Sequence, residues 1–335
     1  MRSAMGVINR SWALCLVLAF LLASPAAAQT AGQSAAGQAP AKSQAVWSVE
    51  AKVKRLFDSH TSYEFANPYP PHQSPLSRLE FGLNSWWGGL EVSRWTPLWS
   101  VSLEAMRNLT SGVDGILADS DWSDEQATRM RDIYSESNLR LKPSYDVRAS
   151  LDVSVAPWLG LPKGLDLRPV GGVRWQRFDL MAFDGTQWEI EPDGSVHTTP
   201  LPGDAIHFKQ TYWHYFFGLR GQWQPLLRQH PGFTVSGQVD YAYVTGFNQD
   251  HHLLRAGNRI TEESTTGHAW HAALALEAPL GREFFFGLEA EYMTIVTTGS
   301  HRLVNDAYGM DYTWDNLAKV WSQQCSVMAT LRYCF

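Results

Sequence analysis

The chain has 335 residues, and its 27 Lys and Arg against 33 Asp and Glu give a formal net charge of −6. This mildly acidic balance argues against general nucleic-acid binding, so we expect no nucleic-acid partner. The 15 Trp, 12 Tyr and 15 Phe exceed what a soluble domain of this length usually carries, which indicates aromatic belts at membrane interfaces.

The N-terminus has the features of a secretory signal peptide. Two arginines supply a charged region, residues 12–22 form an apolar stretch, and Ala26-Ala27-Ala28 is a small-residue cleavage site. We therefore expect a signal peptide over 1–28 and a flexible mature N-terminus, rich in Ala, Gln, Gly and Ser, over 29–45. No later segment approaches the roughly 18 consecutive apolar residues that a membrane-spanning helix needs.

The next segments alternate between apolar and polar side chains, the pattern of β-strands. The alternation from Trp47 to Phe57 predicts the first strand, and a second is predicted from about Ser77 to Trp95. A tight turn at 96–98 leads into a third strand that starts at residue 99. Further strands are predicted near 139–157, 166–183, 206–223, 232–247, 266–278, 283–297 and 319–335.

The joints between these ten strands fall into two alternating kinds. Joints with Pro or Gly are short, whereas those at 58–76, 111–138, 184–205, 248–265 and 298–318 are long and polar. An even strand number, alternating joints and a final aromatic residue are typical of bacterial outer-membrane barrels. The sequence therefore predicts an all-β fold, a ten-stranded antiparallel transmembrane β-barrel of the outer-membrane type over residues 46–335, with the long joints outside. The alternative for the last strand is an edge strand of a soluble sandwich.

Two polar pairs lie in joints that this topology places at the outer rim. Asp250 and His252 follow strand seven, and Asp119 and Asp121 follow strand three. Residues two apart in an extended chain share a face, so each pair can interact. A carboxylate can orient an imidazole that then takes a proton from water, and two adjacent carboxylates hold one proton to higher pH. Each pair taken alone is more often a solvated loop feature or, for the aspartates, a loose cation site.

Five short motifs lie in order along the predicted barrel: Ser77-Arg78-Leu79-Glu80-Phe81, Asp119-Ser120-Asp121-Trp122, Phe208-Lys209-Gln210, Asp250-His251-His252 and Arg259-Ile260-Thr261. In their order and spacing they resemble the omptins, a family of ten-stranded outer-membrane proteases. The resemblance covers essentially the whole mature barrel.

The resemblance implies an endopeptidase in the outer membrane of a Gram-negative-type bacterium, acting on peptides or proteins outside the cell. It implies that Asp250 orients His252 as the general base and that Asp119 and Asp121 form the opposing couple. A water between the two pairs would attack the peptide carbonyl without an acyl-enzyme. No metal and no cofactor are expected.

The resemblance also implies substrate and lipid contacts. Cleavage near basic residues would use acids in the barrel mouth, and Glu64 matches one such position while Asn248 stands at the other. Lipopolysaccharide, the expected lipid partner and a possible activator, would contact Arg177 and Arg174 on the outer wall.

Two other functions are compatible with such a barrel. One is a non-cleaving surface protein of the same fold, an adhesin or structural outer-membrane protein. The other is an enzyme acting on lipid A esters, which would need a Ser near a His on the lipid-facing wall, and the sequence offers no convincing pair.

Overall fold

The structure, a computed structural model, describes residues 46–70, 72–123, 130–191, 193–225 and 232–335. The predicted signal peptide (1–28) and flexible N-terminus (29–45) lie outside the described residues. Within those ranges no helix is long and apolar enough to cross a membrane. The described chain is built almost entirely of β-strands.

Thirteen strands, one short helix and one 3-10 turn are formed by the described residues. In chain order they are β1 Val46–Phe65, β2 Ser77–Gly82, β3 Trp86–Trp95, β4 Trp99–Asn108, β5 Gly112–Asp121, β6 Ile133–Leu141, β7 Tyr145–Val153, α1 Ala156–Leu159, β8 Leu165–Ile190, β9 Val196–Trp223, β10 Thr234–His252, β11 Arg259–Pro279, β12 Phe284–Asn305, the 3-10 turn Asp306–Tyr308 and β13 Met310–Cys334.

These strands close into an antiparallel ring. Each pairs with its neighbours, and β13 pairs with β1 from Ser48↔Cys334 to Phe65↔Ala318, which leaves no free edge in the described sheet. Three barrel strands are interrupted at neighbouring levels of the wall. Each consists of two halves, namely β2 and β3, β4 and β5, and β6 and β7. One interruption contains Pro143, which cannot donate a ladder hydrogen bond. The ring therefore has ten strands, and the prediction of a ten-stranded barrel is confirmed.

The barrel wall alternates between a lipid face and a lumen face. In β9 the outward side chains of Trp213, Tyr215 and Phe217 are 45%, 51% and 70% exposed, whereas the intervening Tyr212 and His214 are 0% and 2% exposed. Apolar side chains exposed in such a row are stable in lipid rather than water.

Aromatic belts mark both membrane interfaces, as the composition indicated. On the outer side, Trp175 lies 6.3 Å from Tyr145 and 6.4 Å from Trp213 between ring centroids, and Tyr215 stacks on Tyr243 at 6.5 Å. The other end of the barrel carries exposed aromatic residues that include Trp47, Trp99, Trp223, Phe284 and Phe335. The strands that cross between the two belts span the membrane.

The five long joints, predicted at 58–76, 111–138, 184–205, 248–265 and 298–318, are wrong as continuous loops. Strand β1 continues to Phe65, and β5 and β6 lie within the second joint. In the other three joints, β8 to β13 extend beyond the outer belt. Both faces of a strand meet polar surroundings above the membrane, so the apolar alternation stops there although the hydrogen-bond ladder continues.

Ion pairs fill the lumen within the membrane. Nζ of Lys52 lies 2.5 Å from carboxylate oxygens of both Glu91 and Glu104. Nε of Arg168 lies 2.6 Å from Oδ1 of Asp152. These charged side chains are largely buried, so each depends on its partner for stability.

Candidate active site

The two polar pairs lie at the outer ends of their strands. Asp121 is the last residue of β5 and His252 the last of β10. Asp250 lies seven residues beyond Tyr243 of the outer aromatic belt, a distance of about 23 Å along the strand. Both pairs are therefore outside the membrane, and rigid strands rather than loops position them.

Asp250 and His252 form the predicted pair. Nε2 of His252 lies 3.0 Å from Oδ2 of Asp250, whose side chain is fully buried. Burial lowers the pKa of His252, but the Asp250 carboxylate and its hydrogen bond outweigh burial and raise the pKa above 6.5. Burial likewise raises the pKa of Asp250, and the imidazole outweighs it, so the carboxyl is more acidic than usual. This contact leaves Nδ1 of the imidazole for another partner.

Tyr63 is a third member of this pair that the sequence did not reveal. Its hydroxyl donates to Oδ2 of Asp250 at 2.5 Å, and the Tyr63 side chain is 0% exposed. One carboxylate oxygen thus receives hydrogen bonds from both the phenol and the imidazole. Below it, Phe208 stacks on Tyr63 at 5.6 Å and on Phe81 at 4.2 Å between centroids, which closes the floor of the site.

Asp119 and Asp121 line the opposite wall. Burial raises the pKa of Asp119 most, and the neighbouring Asp121 carboxylate raises it further. His252 lowers this pKa, and the result is a value of about 8. Burial also raises the pKa of Asp121, although a hydrogen bond from Ser77 opposes the shift. Among the described residues, Oδ1 of Asp119 is buried with no hydrogen-bond partner. Near neutral pH Asp119 therefore keeps its proton.

The two pairs face one open pocket of about 200 Å³. Asp119, Asp121 and His252 all line it, with Asp250 behind His252. The remaining lining residues are Phe65, Leu76, Ser77, Leu79, Ser123, Arg255, Arg259 and Thr261. Four residues predicted from two separate motifs are therefore brought together.

Glu64 does not join this pocket, which corrects its predicted position in the mouth. A bulge in β1 between Phe57 and His60 shifts the register, so Tyr63 faces the lumen and Glu64 the outer wall. There Arg78 donates to Oε2 of Glu64 from Nε at 2.9 Å and from Nη2 at 2.6 Å.

Asn248 faces the lumen two residues below Asp250 and is 1% exposed. It pairs across the strands with Glu263, whose Oε1 lies 2.9 Å from Nδ1 of His301. Phe65 stacks on that imidazole at 4.2 Å between centroids. The floor therefore carries a neutral amide and an acid already paired with a histidine. No signal in the sequence identified Glu263 or His301.

The two arginines predicted to contact lipopolysaccharide lie on opposite faces of β8. Arg177 is on the outer wall, on the same face as Trp175, and pairs across the strands with Tyr145 and Thr211. Arg174 is 6% exposed in the lumen, where its Nε lies 3.9 Å from Oδ1 of Asp146. The two arginines are three positions apart, and an odd spacing reverses the face of a strand, so Arg174 cannot contact lipid.

The described residues contain no group of three or more His, Cys, Asp or Glu placed to hold a metal ion. The expected absence of a metal and of a cofactor stays a prediction.

A family model and one solved structure agree with this architecture. A model of the Omptin family matches residues 76–335. Outer membrane protease OmpT from Escherichia coli has a similar structure, with a TM-score of 0.76, 15% identity, and coverage of 88% of this chain and 98% of that one. The outer membrane protein OprG from Pseudomonas aeruginosa aligns with a TM-score of 0.37 and 11% identity over 88% of this chain and 97% of its own. No curated protein matches the sequence.

Proposed function

Since this chain belongs to the omptin family, whose members are outer-membrane proteases, we propose that it is an endopeptidase in which His252 activates the attacking water. It resides in the outer membrane of a Gram-negative bacterium. The observation that carries the proposal is the convergence of Asp119, Asp121 and His252 on one pocket outside the membrane, with Asp250 behind the imidazole.

His252 acts as the general base. Its Nε2 is held by Asp250 at 3.0 Å, so Nδ1 receives the proton as a water molecule attacks the peptide carbonyl. The Asp250 carboxylate stabilises the imidazolium that forms. Because water is the nucleophile, the step produces a tetrahedral intermediate and no acyl-enzyme.

The aspartate couple supplies the acid. With a pKa of about 8, Asp119 keeps its proton near neutral pH and can donate a hydrogen bond to the developing oxyanion. The leaving amine then takes the proton from the imidazolium, which returns His252 to its neutral form while Asp119 keeps its own proton. The hydrogen bond from Ser77 lowers the pKa of Asp121, which makes Asp121 the more acidic member of the couple.

The substrates we propose are peptides or proteins that reach the pocket from outside the cell. The expected preference for basic residues depended on two acids in the mouth. Glu64 is instead paired with Arg78 on the outer wall, and Asn248 carries no charge, so neither residue supports that preference.

We also propose that lipopolysaccharide binds the outer wall at Arg177. This side chain lies just beyond Trp175 of the outer belt, at the height of lipid headgroups, and Lys209 lies nearby on the adjacent strand. A guanidinium at this height can pair with lipid A phosphates. A titration with lipopolysaccharide tests this role, because Arg177→Ala should then require about tenfold more lipid for full activity.

A quenched peptide library incubated with the purified barrel tests the proposed activity. Wild-type protein should release fluorescence, and His252→Ala should lower the rate by about 100- to 10,000-fold with the barrel still folded. Equal rates for the two folded proteins would refute the protease mechanism. Absence of cleavage by wild type would favour the non-cleaving surface barrel.

A further inference from the structure

A row of neighbouring rings runs from the candidate active site along one side of the barrel mouth. It begins at Phe65, which lines the pocket and stacks on His301 at 4.2 Å between centroids. Trp314 stacks on the same imidazole at 6.1 Å, and Tyr312 lies 5.8 Å from Trp314. We call these four rings the aromatic row. None of them takes part in the proposed mechanism.

Cross-strand pairing places the outer end of the aromatic row on the same face as the reacting groups. Asp250 pairs with Thr261, and Thr261 pairs with Leu303. Leu303 in turn pairs with Tyr312. Residues directly opposite each other on adjacent strands share a face, and Asp250 faces the lumen. Leu303 and Tyr312 therefore face the barrel mouth, in the same rung of the ladder as Asp250.

This outer end is an apolar surface outside the membrane. Tyr312 is 50% exposed, and Leu303 beside it is partly buried. Their charged neighbours in the sequence, Arg302 and Asp311, pair with each other on the outer wall. Because the rung that contains Asp250 lies beyond the outer aromatic belt, lipid does not cover this surface. A ligand with an apolar side chain gains free energy by removing the surface from water.

We propose that Leu303, Tyr312 and Trp314 form a subsite that binds an apolar side chain of the substrate polypeptide at a distance from the scissile bond. The subsite rests on the proposed peptidase function and extends it to a second point of contact with the substrate. A Tyr and a Trp ring offer large rigid surfaces for such a contact, and they lose little conformational entropy when a ligand packs on them.

The occupant is a segment of the polypeptide being cleaved, because the pocket and the subsite are continuous. Phe65 lines the pocket and begins the aromatic row, and Thr261 lines the pocket and pairs with Leu303. Three strand spacings of about 4.8 Å separate Tyr312 from Asp250, or about 14 Å, which an extended peptide covers in about four residues. The apolar side chain is therefore expected about four residues from the scissile bond.

Quenched peptides that share one cleavable sequence and carry Leu, Ser or Lys at a single position test the subsite. The variable residue is the third, fourth or fifth from the scissile bond, on either side. With purified full-length barrel and added lipopolysaccharide, kcat/KM for the Leu peptide should exceed that for the Ser peptide about tenfold at one of these positions. The difference should lie in KM rather than kcat, because the contact is away from the reacting atoms.

Tyr312→Ser should bring this Leu-to-Ser ratio close to one. Both peptides use the same reacting groups, so the ratio cancels any effect of the substitution on catalysis itself. Tyr308→Ser is the matched control. Tyr308 is also a tyrosine of this part of the mouth and is 71% exposed, but among the described residues its ring stacks on no other. The ratio for Tyr308→Ser should therefore stay near the wild-type value.

Equal kcat/KM for the Leu and Ser peptides at every position would overturn the subsite and leave the peptidase function intact. An unchanged ratio in Tyr312→Ser would do the same. Faster cleavage of the Lys peptides than of the Leu peptides, lost in Tyr312→Ser, would assign the rings to a cation and overturn the apolar subsite. Failure to cleave any peptide would overturn both the subsite and the peptidase function.

Discussion

Replacing Tyr63 by Phe removes only the hydroxyl that donates to Asp250. That hydrogen bond is 2.5 Å long between two fully buried side chains, so water cannot replace it without opening the floor of the site. Hydrogen bonds to charged groups contribute about 1.5–3 kcal/mol. Each 1.36 kcal/mol changes a rate tenfold. We therefore expect Tyr63→Phe to lower kcat about 10- to 100-fold.

The substitution also has a predictable effect on pH dependence. Without the phenol donor, Oδ2 of Asp250 carries more uncompensated charge and holds the imidazolium proton more tightly. The pKa of His252 then rises further above its ordinary value. Because the base acts only when neutral, activity is lost as pH falls through this pKa, and the acid limb of kcat/KM should move up by about one unit.

Rates of peptide cleavage measured from pH 5 to 9 for wild type, Tyr63→Phe and Tyr212→Phe would test both effects. Tyr212 is the control, since it is also 0% exposed in the lumen but its hydroxyl has no hydrogen-bond partner among the described residues. If Tyr63→Phe kept the wild-type kcat and acid limb, the phenol would have no part in holding Asp250.

Three further predictions follow from the charges. The pH profile of kcat/KM should be bell-shaped. His252, with a pKa above 6.5, must lose its proton, whereas Asp119, with a pKa of about 8, must keep its proton. A rate that is flat from pH 5 to 8 would contradict these roles. Asp119→Asn should lower kcat by about 100-fold or more. The pH profile of its residual activity should lack the fall at alkaline pH, and an unchanged fall would show that another group causes it. Lys52→Met should lower the free energy of unfolding by about 3–5 kcal/mol, since Glu91 and Glu104 lose their shared partner; unchanged urea midpoints in lipid vesicles would refute this.

The strand number and closure of the barrel could be predicted because the lipid imposes alternation. Outward residues such as Phe217 must be apolar, and inward residues such as His214 can be polar, so each membrane crossing has a period of two. The strand ends could not be predicted this way. Above the outer belt the lipid no longer selects for apolar side chains, and β8 to β13 continue without that signal.

The catalytic candidates could be predicted because each pair depends only on i, i+2 spacing along one strand. Glu64 shows the limit of that reasoning. Inward residues Lys52 and Lys54 would assign Glu64 to the lumen by even spacing, but the bulge after Phe57 shifts the strand by one residue. The same shift moves Tyr63 inward, beside Asp250. Nothing in the amino-acid order announces that bulge, since it depends on pairing with two neighbouring strands.

The ion pairs and stacked rings that fill the lumen separate the two sides of the membrane. Between the site and the periplasmic end, the lumen holds Lys52 with its two glutamates and the stacked rings of Phe81 and Phe208. We therefore expect planar bilayers that contain this protein to stay electrically silent. Under the proposed function, a polypeptide that enters the pocket from outside would leave on the same side, so its fragments would return to the surroundings rather than pass through this barrel.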